Sequence, residues 1–324
     1  MIRKLLSLLH NKILIVSILI LIQLFVFFGI VFKLSEYFVA IYFILIALSF
    51  CMSIYIINKN DNPTYKLTWV LLIMAVPVFG GLIYLLFGGQ KVPKELRKRD
   101  SEALENYQEI SWQNTEIMEA LEAEDPLAHK QANYLWKNAI FPIYNHTETT
   151  YFPVGEKKFK AMVEELKKAE SFIFMEYFII DEGDMWGTIL DILEQKAQEG
   201  LDVRLIYDDM GCVSNLPSKF DRILEARGIK CMAFNPFIPF VSLAMNNRDH
   251  RKILVIDGHT GFTGGINLAD EYINTKERFG YWKDTGIMLK GEGVWNLTTM
   301  FLHMWNSFRP TDEDYDKFRP HVHL

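Results

Sequence analysis

His250, Lys252 and Asn267 are the side chains of this sequence best suited to chemistry. They fall within His250-Arg-Lys252-Ile-Leu-Val-Ile-Asp257 and the following Gly264-Gly265-Ile-Asn267. In an extended strand side chains alternate faces at about 3.3 Å per residue, so His250 and Lys252 share a face roughly 7 Å apart and can touch one phosphate. An imidazole is a competent nucleophile near neutral pH, a lysine ammonium offsets charge building on phosphoryl oxygens, and a carboxamide donates to one of them. Gly264 and Gly265 let the backbone approach a ligand closely. The chemistry implied is phosphoryl transfer, and it requires no metal and no cofactor. Asp257 has the opposite strand parity from His250 and reads as a scaffold residue.

The elements that must position these groups are legible nearby. Ile253 to Ile256 is an apolar, β-branched-rich run closed by Asp257-Gly258, hence a strand and a turn, and a second strand at 260–263 delivers the glycines. Upstream, from about Phe152, the pattern alternates: helix 156–169, strand 172–180, helix 186–198 ended by Gly200, strand 203–207, helix 219–226 ended by Gly228. Such alternation implies an α/β sheet. Asp208, Asp209 and Gly211 stand at a strand end, where they serve either as a turn and helix cap or as ligand groups. Glu176 is the only charge from Ser171 to Ile180, so its carboxylate is expected to be buried and partnered, near the site or in a structural pair. A final helix, 294–308, carries Val294, Leu297, Phe301, Trp305 and Phe308 as a core stripe with His303 beside it.

The passage around His250 resembles the HxKxxxxD signature of the phospholipase D superfamily, and its surroundings resemble the bacterial cardiolipin synthases. The matching stretches include Asn62-Pro-Thr-Tyr-Lys-Leu-Thr-Trp69, Pro77-Val-Phe-Gly80, Tyr84-Leu-Leu-Phe-Gly88, Met175-Glu-Tyr-Phe-Ile179, Tyr207-Asp-Asp-Met-Gly211, Asn247-Arg-Asp-His-Arg-Lys252 and Tyr281-Trp-Lys-Asp284. The resemblance implies a mixed sheet flanked by helices, preceded by transmembrane helices. It implies that His250 attacks a phosphatidyl donor to give a phosphohistidine, while Lys252 and Asn267 hold the non-bridging oxygens. Asp284 matches the acid that would orient the imidazole, and Asp257 closes the motif. Gly264, Gly265, Glu176 and Arg248 join the site as substrate-binding residues, with Arg248 or Arg251 reaching a headgroup phosphate. Gly265 stands where many superfamily members carry serine, whereas the cardiolipin synthases commonly carry glycine.

Fifty per cent of the 324 residues are hydrophobic, unevenly spread. Stretches 13–33 and 37–57 are each long enough to cross the roughly 30 Å hydrocarbon layer as a helix. A third, 67–87, is interrupted by Pro77 and Gly80-Gly81 and either crosses with a kink or re-enters. Residues 1–90 thus read as a membrane anchor, 91–150 as an amphipathic helical connector broken at Asp125-Pro126, 151–310 as the phospholipase D-like domain and 311–324 as a linker or truncated tail. Lys91, Lys94, Arg97, Lys98 and Arg99 suit anionic headgroups and a cytoplasmic catalytic part, but Arg3, Lys4 and Lys12 ask for the same side. Three full spans would separate the two clusters, so one stretch re-enters or one cluster is overruled.

A net charge of −6 disfavours a nucleic-acid binder. Cys51, Cys212 and Cys231 are unclustered and suggest neither disulfides nor zinc, and His321-Val-His323 lacks further ligands. Phe234-Asn-Pro-Phe-Ile-Pro-Phe240 reads as an aromatic loop, lining an acyl channel, dipping into the bilayer, or packing as an ordinary loop.

The expected activity is a membrane phosphatidyltransferase converting two phosphatidylglycerols to cardiolipin and glycerol. Alternatives are a phosphodiesterase using water and a non-catalytic remnant associating with an intact synthase. The family's enzymes carry two HxKxxxxD motifs and this sequence has one, so it reads as a truncated synthase or as a chain that pairs with a copy of itself or a second-motif partner.

Overall fold

The structure is a computed structural model, and it describes residues 12–33, 38–88, 111–236, 248–312 and 314–319. Arg3, Lys4, the basic residues from Lys91 to Arg99, Phe237 to Phe240 of the aromatic loop, His321 and His323 lie outside the described residues. The chain divides into two compact units, one built from the described residues up to 88 and one from those between 111 and 319.

The first unit is helical. α1 (Lys12–Lys33) and α2 (Phe38–Asn58) cover the first two apolar stretches. Val39–Asn58 is the one described helix that is long and apolar enough throughout to cross a membrane. The third stretch is not one continuous helix. It is α3 (Pro63–Ala75) and α4 (Pro77–Phe87), separated because Pro77 excludes Val76 from helical backbone. The two halves double back on each other: Tyr65 Oη, at the start of α3, donates to Gly88 O, beyond the end of α4, over 3.2 Å. Gly80 makes the fold-back possible, because a Cβ there would lie 2.6 Å from Ile73 Cα. Asn62 caps α3 by accepting from Thr64 N at 2.9 Å, and Ser49 Oγ ties α2 to the bend by donating to Pro77 O at 2.7 Å.

The second unit opens with α5 (Thr115–Glu124) and α6 (Pro126–Ala139), parted by Asp125, whose carboxylate caps α6 through Leu127 N and Ala128 N. A seven-stranded mixed sheet follows. Its strands are β1 (Thr147–Phe152), β2 (Phe172–Tyr177), β3 (Asp202–Asp208), β4 (Lys230–Phe234), β5 (Ile253–Ile256), β6 (Thr260–Gly264) and β7 (Gly286–Gly291). The order is β1-β7-β6-β5-β2-β3-β4, with β2, β3 and β4 parallel and the other neighbours antiparallel. α7 (Gly155–Leu166), α8 (Asp184–Gln198) and α9 (Phe220–Glu225) cover one face, where Ile173, Met175, Leu205, Leu254 and Ile256 point. α10 (Val294–Phe308) covers the other, against Phe172, Phe174, Ile206, Ile253 and Val255.

Two expectations are corrected here. The strand expected over 172–180 stops at Tyr177, and Ile180 contributes only an isolated bridge to Leu268. His250 and Lys252 do not lie within a strand, because the ladder begins at Ile253. β1, β4 and β7 go beyond the sequence expectation, and β1 is an edge strand with four of its six residues exposed.

Candidate active site

The sheet brings the end of β2, the start of β5, the end of β6 and the start of β7 to one edge, and the candidate residues stand there. Phe178, just past β2, is the meeting point. The His250 ring lies 4.8 Å from the Phe178 ring, and the Lys252 ammonium sits 5.2 Å over the same ring. Lys252 Nζ also donates to His250 O at 2.6 Å, so the two residues are gathered although neither is in a strand. His250 is exposed, and its imidazole has no hydrogen-bond partner among the described residues. Lys252 is buried, and burial lowers its pKa to about 8 against the pull of Asp249, Asp284 and Asp208.

Asp284 lies over a glycine just before β7, with no hydrogen bond or ion pair to His250 or Lys252 among the described residues. Its Oδ1 accepts from Thr285 N at 2.7 Å, and the carboxylate lies so close over Gly265 that a Cβ there would sit 2.1 Å from Oδ1. Gly265 therefore has a steric reason to lack a side chain. Gly264 has another: its φ is +137°, and a Cβ would meet Thr285 O at 2.5 Å where β6 and β7 cross at Gly264 and Gly286. The segment holding Asp284 is anchored by Asn274, which accepts from Trp282 N at 2.7 Å and donates to Trp282 O and to Glu156.

Asn267 is buried and braces two loops. Its Oδ1 accepts from Ile179 N at 3.1 Å, and its Nδ2 donates to Tyr272 Oη at 2.8 Å. One N–H of the amide is left beyond that to Tyr272, as a phosphate donor requires.

Other expected site residues are held elsewhere. The Asp257 carboxylate accepts from Glu170 N, Ser171 N and Phe172 N at 2.8, 2.7 and 2.9 Å, tying the turn after β5 to the start of β2 at the far end of these strands. The catalytic role that the resemblance gave it thus gives way to a scaffold role, on these hydrogen bonds. Glu176 points to the α10 face, opposite to Lys252, where Arg251 Nε lies 2.7 Å from Glu176 Oε1 and 3.0 Å from Asp249 Oδ1. Burial and the neighbouring Asp249 raise the Glu176 pKa well above its ordinary value despite Arg251. Two acids facing one guanidinium make this a structural cluster rather than a substrate contact. Arg248 is likewise engaged, with Asp208 Oδ1 at 3.3 Å and Asn235 O at 3.1 Å. Asp208 also accepts from Met210 N, Gly211 N and Asp249 N, so of its two readings the turn describes it, although no helix follows there for it to cap.

With this geometry in hand, comparison with known proteins is informative. Residues 162–305 match the family model described as "Cardiolipin synthase, PLD-like domain", and residues 39–89 match "Phospholipase D-nuclease N-terminal". The chain thus carries a cardiolipin synthase PLD-like domain and resembles the cardiolipin synthases. A "Cardiolipin synthase" of Alkalihalophilus pseudofirmus is 36% identical over 260 residues, covering 79% of this chain and 51% of its own. An "Uncharacterized protein" of Streptococcus mutans serotype c is 46% identical over 273 residues, covering 83% of this chain and 58% of its own. The chain therefore spans between half and three fifths of the length of these two relatives. Among solved structures, the phospholipase D family member Nuc of Salmonella typhimurium is similar at 18% identity and a TM-score of 0.36, covering 49% of this chain and 91% of that one.

Two functional candidates escaped the sequence reading. Phe178 was visible only inside the stretch Met175 to Ile179, without a role. Lys158, buried on α7 with Asp284 and Lys252 acting on it, sits among the charges of Glu156-Lys-Lys-Phe-Lys160 and has no signal of its own.

Proposed function

We propose that this chain supplies the nucleophilic half-site of a membrane phosphatidyltransferase of the cardiolipin synthase type. An imidazole nitrogen of His250 attacks the phosphorus of phosphatidylglycerol, the bond from phosphorus to the glycerol headgroup breaks, and glycerol leaves with a proton. A hydroxyl of a second phosphatidylglycerol then attacks the phosphohistidine, the P–N bond breaks, the hydroxyl proton departs to a base, and cardiolipin forms. Lys252 and the free N–H of Asn267 offset charge on the non-bridging oxygens in both steps, and Asp284 orients the imidazole. The proton for glycerol comes from the histidine of a second HxKxxxxD motif outside the residues 1–324.

The observation that carries this reading is the convergence of His250 and Lys252 on Phe178 in a domain of the cardiolipin synthase family. The exposure of His250 favours one second reading, in which water is the acceptor and phosphatidic acid the product. Incubating the detergent-solubilised chain with labelled phosphatidylglycerol separates them. Cardiolipin lost in His250→Ala supports transfer, and phosphatidic acid alone supports hydrolysis. A wild-type protein that carries no acid-labile label and forms no product refutes both.

The same reading includes a membrane topology. α1 and α2, at 22 and 21 residues, are long enough to cross, and α3 with α4 forms a re-entrant hairpin. Two crossings and one hairpin put Arg3, Lys4 and Lys12 on the same, cytoplasmic, face as the basic residues from Lys91 to Arg99, together with the catalytic unit. Single cysteines at 62 and 90 are expected to react with an impermeant maleimide from the same side; labelling from opposite sides refutes the hairpin.

A further inference from the structure

Phe178 stands one residue past the end of β2, and its ring packs into neither of the two apolar cores that flank the sheet. The backbone around it is nonetheless fixed from two sides. Ile179 N donates to Asn267 Oδ1 and Leu268 N donates to Ile179 O, both over 3.1 Å, so the loop that carries Asn267 holds one side. On the other side Cys212 Sγ donates to Phe178 O over 3.5 Å. Gly211 makes room for this contact, because a Cβ there would lie 2.1 Å from Phe178 O and 3.0 Å from Phe178 Cδ2. A half-buried ring is thus held in place without serving either core.

What the ring touches gives it a use. The Lys252 ammonium lies 5.2 Å over its face, within the range at which a ring quadrupole attracts a cation. That attraction is strongest for a cation removed from water, and Lys252 is buried. The ammonium also donates to His250 O at 2.6 Å, and no carboxylate forms an ion pair with it among the described residues. A carboxylate partner would compete with a phosphate for the N–H groups, whereas a ring face attracts the charge without acting as a strong acceptor. The same ring lies 4.8 Å from the imidazole of His250, tilted by 53°. One side chain therefore touches both groups proposed to act on the phosphate.

We propose that Phe178 is a positioning residue of the phosphate site: its ring face holds the Lys252 ammonium while leaving N–H donors to the substrate's non-bridging oxygens, and its flank backs the His250 imidazole so that both groups meet one phosphate. The proposal rests on the roles given above to His250 and Lys252. It assigns the aromatic character of position 178, and not only its bulk, to the reaction. Leucine fills much of the same space but offers no π face, whereas tyrosine keeps the ring.

The probe is dimethyl phosphate, a monoanion at neutral pH, titrated by NMR into the detergent-solubilised full chain. Per folded molecule, Phe178→Leu is expected to bind it about tenfold more weakly than wild type, the loss due to a desolvated cation–π contact, and Phe178→Tyr within about twofold of wild type. Urea midpoints of both variants should stay near wild type, because the ring belongs to neither core. A second measurement reads the contact itself. With carbon-13 at the lysine Cε positions, the ring current should hold the Lys252 methylene protons upfield in wild type and Phe178→Tyr, and Phe178→Leu should release them downfield. Equal affinities of wild type and Phe178→Leu, a Phe178→Tyr as weak as Phe178→Leu, an unmoved Lys252 resonance, or a wild type that binds no dimethyl phosphate overturns the proposal. A chain that binds the probe in this ring-dependent way but forms no phosphohistidine sustains the proposal while removing the transfer. Phosphohistidine formed by Phe178→Leu at the wild-type rate does the reverse.

Discussion

Replacing Gly265 by alanine tests whether the site depends on the closeness of Asp284 to the β6 backbone. The new Cβ would begin 2.1 Å from Asp284 Oδ1 and 2.7 Å from Cγ. Recovering ordinary contact at 3.4 Å requires the carboxylate to retreat by about 1.3 Å from Cβ. The backbone has little reason to yield instead, because Gly265 N donates to Thr285 O at 3.1 Å and β6 and β7 are in register beside it. A misplacement of about 1 Å in a supporting group costs on the order of 100-fold in rate. Because the displaced atoms belong to one short, polar side chain, the stability cost should stay near the low end for overpacking, about 1 kcal/mol. Single-turnover labelling of His250 from labelled phosphatidylglycerol reads the first effect, and urea unfolding followed by tryptophan fluorescence reads the second. Gly265→Ser should behave like Gly265→Ala, because steric displacement rather than hydroxyl chemistry governs the outcome. Labelling at the wild-type rate in either variant would refute the reasoning, as would a rate loss fully explained by unfolding.

Asp257→Asn keeps the turn, whose φ of 50° asparagine tolerates, but leaves three N–H donors facing one oxygen and one amide; it should cost about 2 kcal/mol in urea unfolding while His250 labelling per folded molecule stays unchanged. Glu176 has a raised folded pKa, so the stability its protonated form contributes is present below the ordinary carboxylate value and lost as pH rises through the folded one. Glu176→Gln should therefore gain on wild type in urea midpoints as pH rises above the ordinary carboxylate range, and parallel profiles would count against a protonated Glu176. Burial pushes Asp312 upward, but hydrogen bonds from Arg204 and Lys317 outweigh it and hold the carboxyl at about 2. Asp312→Asn leaves the buried Arg204 with Asp202 alone and should cost about 3 kcal/mol at neutral pH. That advantage of wild type should be full above the unfolded carboxylate value and be lost progressively as pH falls from there through about 2, which an acid series of unfolding curves checks.

What could be read without coordinates depended on the sequence distance between partners. The β5 run, the Asp257 turn and the glycine-ended helices are local patterns, and the helices and central strands stand close to where periodicity puts them. Strand parity with His250 pointed to a scaffold role for Asp257, yet the strand begins only at Ile253 and Asp257 sits in the turn after it, so its hydrogen bonds rather than parity assign that role. Its actual partners, Glu170 to Phe172, lie 85 to 87 positions away, and nothing in the turn announces them. Glu176 shows the same division: an isolated charge in an apolar run predicts burial and a partner, but only the sheet, by turning Arg251 to the same face, decides that the partner is structural. Arg248 looked available because it adjoins His250, yet Asp208, 40 positions earlier, claims it. Lys158 is the extreme case, a lysine among lysines distinguished only by its burial against Gly286 of β7, far along the chain. Asp257, with partners 85 to 87 positions away, belongs to the scaffold, whereas Asp284 lies directly over Gly265 at the edge where His250 and Lys252 stand. Asp284, rather than Asp257, is therefore where substitution should separate rate from stability.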